Sequence, residues 1–217
     1  MAEFHLFIGN KCFSSWSLRP WLALKHIGAP FDETVIRLRQ PDTRANIRAL
    51  ARSEKVPCLH HGRRVVWESL SILEYLAELF PDSHLWPRDR GARADARSLA
   101  AEMHSGFTEL RNAWSMNLRR KKAPKLLDGA AQDQAKRIED YWRRMRAAHG
   151  QGGPFLFGAF TAADAMYAPV VTRFDTYGGT LAPETRAYCD AILATDGMRQ
   201  WYTEAAAEPW PEPNPDE

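Results

Sequence analysis

Cysteine is scarce in this chain of 217 residues, and the three present, Cys12, Cys58 and Cys189, lie far apart. They form no Cys-x-x-Cys pair and no Cys/His spacing of a zinc site, which argues against a disulfide framework and against a metal. No run of about eighteen apolar residues occurs, so no membrane-spanning helix is expected. The opening MAEFHLFIGNK lacks the apolar stretch and the small-residue cleavage site of a secretory signal. The expectation is a cytoplasmic protein with no membrane partner. An excess of either charge is also missing: 29 Lys plus Arg stand against 27 Asp plus Glu. Neither half of the chain has the charge balance of a nucleic-acid binder, since the first 80 residues hold 11 basic and 8 acidic groups and the rest 18 and 19.

What the chain does have is enough apolar content, 45% of residues, to bury a core. Phe4 to Gly9 reads as a buried strand stopped by Gly9-Asn10. From Trp16 to Ile27, Leu18, Trp21, Leu22, Leu24 and Ile27 recur at helical spacing until Gly28-Ala29-Pro30. Phe31 to Leu38 alternates as a second strand, and Thr43 to Ala51 reads as a short helix. Val56 to Leu59 and Arg64 to Glu68 form a hairpin about His61-Gly62-Arg63. A strong helix then starts after Ser69, taken as its N-cap, and stops at Pro81. The order β-α-β-α-β-β-α fits a small α/β domain over residues 1–80.

Beyond residue 80 no strand is evident. Residues 81–89, punctuated by Pro81 and Pro87, read as a linker. The region 90–217 reads as an all-helical domain: a long helix from Arg90 to Leu118, another from Ala130 to Ala148, and two more over Thr161–Thr176 and Pro183–Ala194. From about residue 209 the tail is too rich in proline and acid to order on its own.

The candidate chemistry gathers at helix starts. The loop Asn10 to Arg19 concentrates hydroxyls ahead of Pro20, which lacks an N–H and therefore suits a first helical turn, making Ser17 the expected N-cap. Ser14 and Ser15 then lie where free amides and the helix dipole favour an anion such as a thiolate. The same serines also suit plain capping. A cis Val56-Pro57 bond would turn the Val56 amide and carbonyl outward to pair with an extended peptide. Glu68-Ser69 puts a carboxylate and a hydroxyl at a strand-to-helix seam, a place to hold the ammonium and the carboxylate of an amino acid head.

Taken in order, these motifs resemble the glutathione S-transferase family across nearly the whole chain. Ser14-Ser15-Trp16-Ser17-Leu18-Arg19 is similar to the serine-serine-x-serine-x-arginine stretch of the zeta class, with Trp16 where that class has cysteine. Val56-Pro57-Cys58-Leu59 resembles the family's valine-proline-x-leucine with its cis proline, and Glu68-Ser69 its glutathione-gripping pair. Thr161-Ala162-Ala163-Asp164 resembles the capping box of the family's buried helix. The resemblance implies a thioredoxin-like first domain and a helical second one, with glutathione as co-substrate. It also implies a small electrophile as second substrate, and a homodimer. Ser14 is the implied thiol activator, with Ser15 the second candidate.

Some residues carry rival readings. Cys12-Phe13-Ser14-Ser15 reads as Cys-x-x-Ser, which would suit a thiol-disulfide oxidoreductase, although cysteine-bearing relatives place their nucleophile at the position of Ser14. A zeta-like isomerase of the maleylacetoacetate type and a non-catalytic glutathione-binding module would also fit the motifs. The electrophile pocket is expected between the first loop and the long helix, at Cys12, Met103, His104, Phe107 and Arg111. Met103, Phe107 and Trp114 equally suit the core, and Arg111 or Arg173 suits an acidic substrate. Arg119 to Lys122 reads as a solvated helix end. His60 and His61 point to opposite faces of a strand and share no metal.

Overall fold

The computed structural model describes residues 3–51 and 53–211. Its first half is a four-stranded sheet in the order β2-β1-β3-β4, built from β1 (Phe4–Gly9), β2 (Phe31–Ile36), β3 (Cys58–His61) and β4 (Arg64–Trp67). β1 runs parallel to β2 with Phe4 opposite Phe31, and antiparallel to β3 with Phe4 opposite His61. Apart from His5, β1 is apolar because both of its faces are covered. Phe4, Leu6 and Ile8 point into the main core, while Phe7 packs with Ile36, Ile47 and Cys58 against α2 (Thr43–Arg48) on the other side. β3 starts at Cys58, two residues later than the pattern suggests, since Pro57 has no amide to give a ladder.

α1 (Ser15–Ile27) and α3 (Ser69–Leu79) lie on the main-core face. The helical half follows a single 3-10 turn at Pro81–Ser83. It comprises α4 (Arg90–Ser105), α5 (Thr108–Ala113), α6 (Gly129–His149), α7 (Ala162–Tyr177), α8 (Pro183–Leu193) and α9 (Asp196–Ala207). α7 is buried almost along its whole length, which explains why its sequence has little amphipathic contrast. It packs against α1 and α4, so one apolar cluster runs from β1 through α1 into both halves.

Four expectations change. The helix from Arg90 to Leu118 is two helices, because Gly106 leaves helical geometry and Phe107 turns left-handed at φ 59. The periodicity runs through the break because Met103, Phe107, Leu110 and Trp114 all face the same core. The basic run is therefore loop rather than helix end: Arg119 donates to the carbonyls of Ala205, Glu208 and Trp210, and Lys122 pairs with Asp175 at 2.7 Å. α9, capped by Thr195 through the Met198 amide, occupies a stretch to which the apolar pattern assigns no element. Finally, the N-caps of α1 and α3 are Ser14 and Glu68, not Ser17 and Ser69. The Pro-rich tail is described only as far as Pro211, and the rest of that expectation lies outside the described residues. Among the described residues no helix is long and apolar enough to cross a membrane.

Candidate active site

β1 ends at Gly9, and the chain turns through Asn10 to Phe13 before α1 begins. Several ties hold this loop. The Asn10 carbonyl accepts from the Ser14 amide at 2.8 Å, and the Asn10 side chain accepts from the Leu38 amide at 2.8 Å. Glu208, just past α9, accepts from the Lys11 amide at 2.5 Å and the Cys12 amide at 3.2 Å. The buried Lys11 ammonium pairs with Glu33 and Glu204 and lies 4.9 Å from the Trp21 ring centre. The loop is thus braced from both halves of the chain.

Ser14 caps α1 by position only, with no side-chain bond to the helix amides. Its hydroxyl lies 2.8 Å from Ser17 Oγ, and Ser17 Oγ accepts from the Gly9 amide at 3.0 Å. Ser17 therefore ties the first turn of the helix to β1 instead of capping it. Pro20 falls in the second turn, where its missing N–H leaves the Trp16 carbonyl without an intrahelical donor. Gly9 is closely packed here: a Cβ on it would come within 2.5 Å of Leu38 and 2.9 Å of Ser14 Oγ, so those side chains would have to shift. Ser15 opens the helix and is nearly buried.

A cavity of about 490 Å³ opens beside this helix start, walled by Trp16, Leu38, Ile47, Glu54, Lys55, Val56, Pro57, Glu68 and His104. The Val56-Pro57 bond is cis. Glu68 adopts φ 68, ψ 127, a left-handed-side conformation that costs a non-glycine residue on the order of 1–3 kcal/mol and concentrates at functional sites. The conformation sets its carboxylate, 42% exposed, at the cavity wall, with Oε2 3.7 Å from His104 Nε2. Ser69 is fully buried, and its hydroxyl accepts from Arg19 Nη1 at 3.5 Å. Burial, followed by repulsion from Arg19, lowers the His104 pKa, and Glu68 opposes that shift.

The expected residues divide. Val56, Pro57, Glu68 and His104 meet on one cavity. Ser14 and Ser15 are buried and do not line it, although Trp16, next in the chain, does. Arg111, half-buried on α5, reaches over the Trp16 ring, its guanidinium carbon 4.5 Å from the ring centre. Met103 and Phe107 are core residues and do not line the cavity: they share the apolar face that α4 and α5 bury against one core. Cys12 is also a correction: it is 2% exposed, and its thiol donates to Asn117 Oδ1 at 3.3 Å. Its sulfur is therefore bonded to the loop after α5 and does not line the cavity. His60 and His61 do face opposite sides, one against the Leu50 carbonyl and the other against the Tyr75 hydroxyl. Trp16 and Lys55 line the cavity although no motif assigns them a role in binding. Their only signal in the sequence is position, each adjoining a residue that a motif does single out.

A mixed four-stranded sheet with a ligand-sized cavity at its helix starts, leaning on an all-helical second half, is a thioredoxin-like domain joined to a helical domain. The chain belongs to the glutathione S-transferase family: the family's N-terminal domain model matches residues 13–79 and its C-terminal domain model residues 98–204. Among curated proteins it is similar to a probable maleylacetoacetate isomerase of Caenorhabditis elegans, 33% identical over 108 residues, 50% of each chain. It is also similar to a maleylpyruvate isomerase of Ralstonia sp, 31% identical over 96 residues, 42% of this chain and 45% of that one. The matches thus span about half the length of these relatives. Among solved structures, a glutathione transferase homolog from Burkholderia gl BGR1 with bound glutathione superposes with TM-score 0.71 at 24% identity, covering 94% of this chain and 98% of the other. A glutathione S-transferase from the Antarctic clam Laternula elliptica gives TM-score 0.73 at 20% identity, with 95% of both chains covered. At these identities the structural likeness is one of fold.

Proposed function

We propose that the cavity binds glutathione and that the protein is a glutathione transferase, activating the bound thiol for attack on a small electrophile. The observation that carries this reading is the convergence of Val56, Pro57 and Glu68 on one cavity beside the N-termini of α1 and α3. Glu68 receives the ammonium of the γ-glutamyl head, and the amides opening α3 at Ser69 receive its carboxylate. The Val56 backbone pairs with the cysteinyl unit, which directs the sulfur toward the start of α1.

Ser14 then acts on the sulfur. In the structure Ser14 Oγ donates to Ser17 Oγ, which also accepts the Gly9 amide; when glutathione binds, both hydroxyls turn, Ser17 donating to Ser14 Oγ and Ser14 to the sulfur. A chain of two hydroxyls anchored on a backbone amide stabilises the thiolate, and the α1 dipole adds to it. The thiol proton leaves to solvent, the sulfur lone pair forms the new carbon–sulfur bond, and the leaving group departs with its bonding pair. The working form is read as a cytoplasmic homodimer, first domain against second.

A second reading rests on the two isomerase relatives: the thiolate adds to an activated double bond and is expelled after rotation, so glutathione is not consumed. Glutathione titration by calorimetry, with thiolate absorbance followed against pH, tests the common core of both readings. Binding that weakens in Glu68→Ala is expected; a wild type with no glutathione affinity refutes it. Consumption of glutathione during turnover separates transfer from isomerisation, and binding without turnover on any electrophile would leave a binding module.

A further inference from the structure

Lys11 and Cys12, in the first loop, carry four backbone polar groups between them, and all four are bonded to the helical half. Their amides donate to the Glu208 carboxylate, at 2.5 and 3.2 Å. The Lys11 carbonyl accepts from the Trp201 indole N–H at 2.9 Å, and the Cys12 carbonyl from the Leu118 amide at 3.0 Å. The Lys11 ammonium adds an ion pair to Glu204 on α9. Glu208 is itself held. α9 ends at Ala207, and Pro209 has no amide with which to close the helix end. Arg119 supplies the donors instead: Nε to the Ala205 carbonyl at 2.9 Å, Nη1 to that of Trp210 at 2.7 Å, and Nη2 to that of Glu208. One planar guanidinium thus fixes three carbonyls of the turn that carries the carboxylate.

These bonds bear on the chemistry because of where the loop goes next. The Asn10 carbonyl accepts from the Phe13 amide at 3.3 Å and the Ser14 amide at 2.8 Å, so Lys11 and Cys12 form the middle of the turn that Ser14 closes. Displacing them displaces Ser14, whose hydroxyl is bonded to Ser17 Oγ and makes no bond to the helix amides. A hydroxyl that must meet a sulfur tolerates little error: a misplacement of about 1 Å costs about a hundredfold in rate. Bonds to a charged acceptor, such as the two on Glu208, are about twice as strong as neutral ones, so they contribute most to fixing the turn. Resting on the glutathione reading above, we propose that Glu208, held by Arg119, is a positioning residue: through Lys11 and Cys12 it sets Ser14 Oγ at the glutathione sulfur, and the end of α9 thereby governs how far the bound thiol ionises.

The test reads the bound thiol, with chlorodinitrobenzene as electrophile. Glu208→Ala should cut kcat at neutral pH about tenfold and raise the pKa of bound glutathione by about one unit. The KM for glutathione should change less than about twofold, because the grip on the γ-glutamyl head lies elsewhere; a raised KM with unchanged kcat overturns the proposal. Glu208→Gln keeps one oxygen to accept and should fall between, and Arg119→Gln should follow Glu208→Ala; these two carry the test if Glu208→Ala does not fold. In Ser14→Ala no hydroxyl is left to place, so adding Glu208→Ala should cost nothing further in kcat, and losses that multiply overturn the proposal. Thr195→Ala strips the cap from the other end of α9, so it should lower the melting temperature and leave kcat and the thiol pKa alone. A loss on the scale of Glu208→Ala there would show a general loosening of α9 and overturn the proposal as well. If glutathione binds and Glu208→Ala keeps the wild-type pKa and kcat, the positioning role fails and the transferase reading stands. If the wild type binds no glutathione, the transferase reading fails, and amide hydrogen exchange in the free protein decides the clamp. Exchange at Lys11, Cys12 and Ser14 about tenfold faster in Glu208→Ala supports it, and an unmoved Ser14 amide overturns it.

Discussion

Replacing Ser14 with alanine removes the last hydroxyl of the chain Gly9 N–H, Ser17 Oγ, Ser14 Oγ, whose two links measure 3.0 and 2.8 Å. A hydrogen bond to a charged group contributes about 1.5–3 kcal/mol, and 1.36 kcal/mol corresponds to one pKa unit. Bound glutathione in Ser14→Ala should therefore titrate about one to two units higher, closer to the free thiol value near 8.5. At neutral pH the rate on a simple electrophile should fall tenfold to a hundredfold, or about 1.5–3 kcal/mol in activation free energy. Ser17→Ala tests the relay: it should raise the same pKa by a smaller amount, because Ser14 keeps its hydroxyl but loses its donor. It should also cost about 1–3 kcal/mol of stability, since the buried Gly9 amide is left without an acceptor. Thiolate absorbance against pH for each variant's glutathione complex, with turnover alongside, is the assay. If Ser14→Ala keeps both the pKa and the rate while Ser15→Ala loses them, the activating hydroxyl is one residue along and the relay is wrong. If only Cys12→Ser loses activity, the buried thiol is the working group and the placement of its sulfur under Asn117 is misleading.

How far the sequence discloses this arrangement depends on whether the cause is local. Strand and helix identities in the first half follow from period and from Gly and Pro punctuation, and the Thr161/Asp164 capping box is complete within four residues, so all of these are legible. The break at Gly106-Phe107 is not. Both flanking helices bury against one core, so the apolar period continues through a left-handed residue and gives no sign of it. The cap of α1 misleads for a related reason. Pro20 suggests a first turn at Ser17, whereas Ser17 is claimed by the Gly9 amide, a tertiary partner eight residues back. Val56, Pro57 and Glu68, which line the cavity, are readable as candidate site residues because their motifs fix their own backbone. The Glu208 carboxylate lies 197 residues along the chain from Lys11, and no motif announces that it accepts two amides of the first loop.

Glu68→Ala and Ser69→Ala should raise the glutathione KM more than they lower kcat, because in the proposed glutathione pose they hold the γ-glutamyl head far from sulfur; unchanged glutathione affinity by calorimetry in both would refute the assignment. Glu208→Gln should lower the melting temperature, since the charged acceptor of the Lys11 and Cys12 amides is lost, and an unchanged melt would show that the first loop stands without it. Asp164→Ala tests more than a cap. A lost capping residue alone would cost about 0.5–2 kcal/mol. In the structure this one buried carboxylate accepts from the Thr161 amide and hydroxyl at 2.8 Å each, the Tyr188 hydroxyl at 3.0 Å and the Leu156 amide at 3.2 Å. Removing it strands four buried donors, so the expected loss is about 3–5 kcal/mol, with no change in glutathione affinity. The same burial pushes the Asp164 carboxyl from 3.8 up to about 6, against the pull of those hydrogen bonds. The folded protein therefore holds this proton more tightly than the unfolded chain. The stabilisation it brings is complete below about pH 4 and is lost as pH rises through about 6. Asn at this position cannot titrate, so the stability of wild type relative to Asp164→Asn should decline between those pH values. Denaturant melts of the two proteins across that range measure it, and a difference that stays flat or grows with pH would show that the hydrogen bonds, not burial, govern the carboxylate.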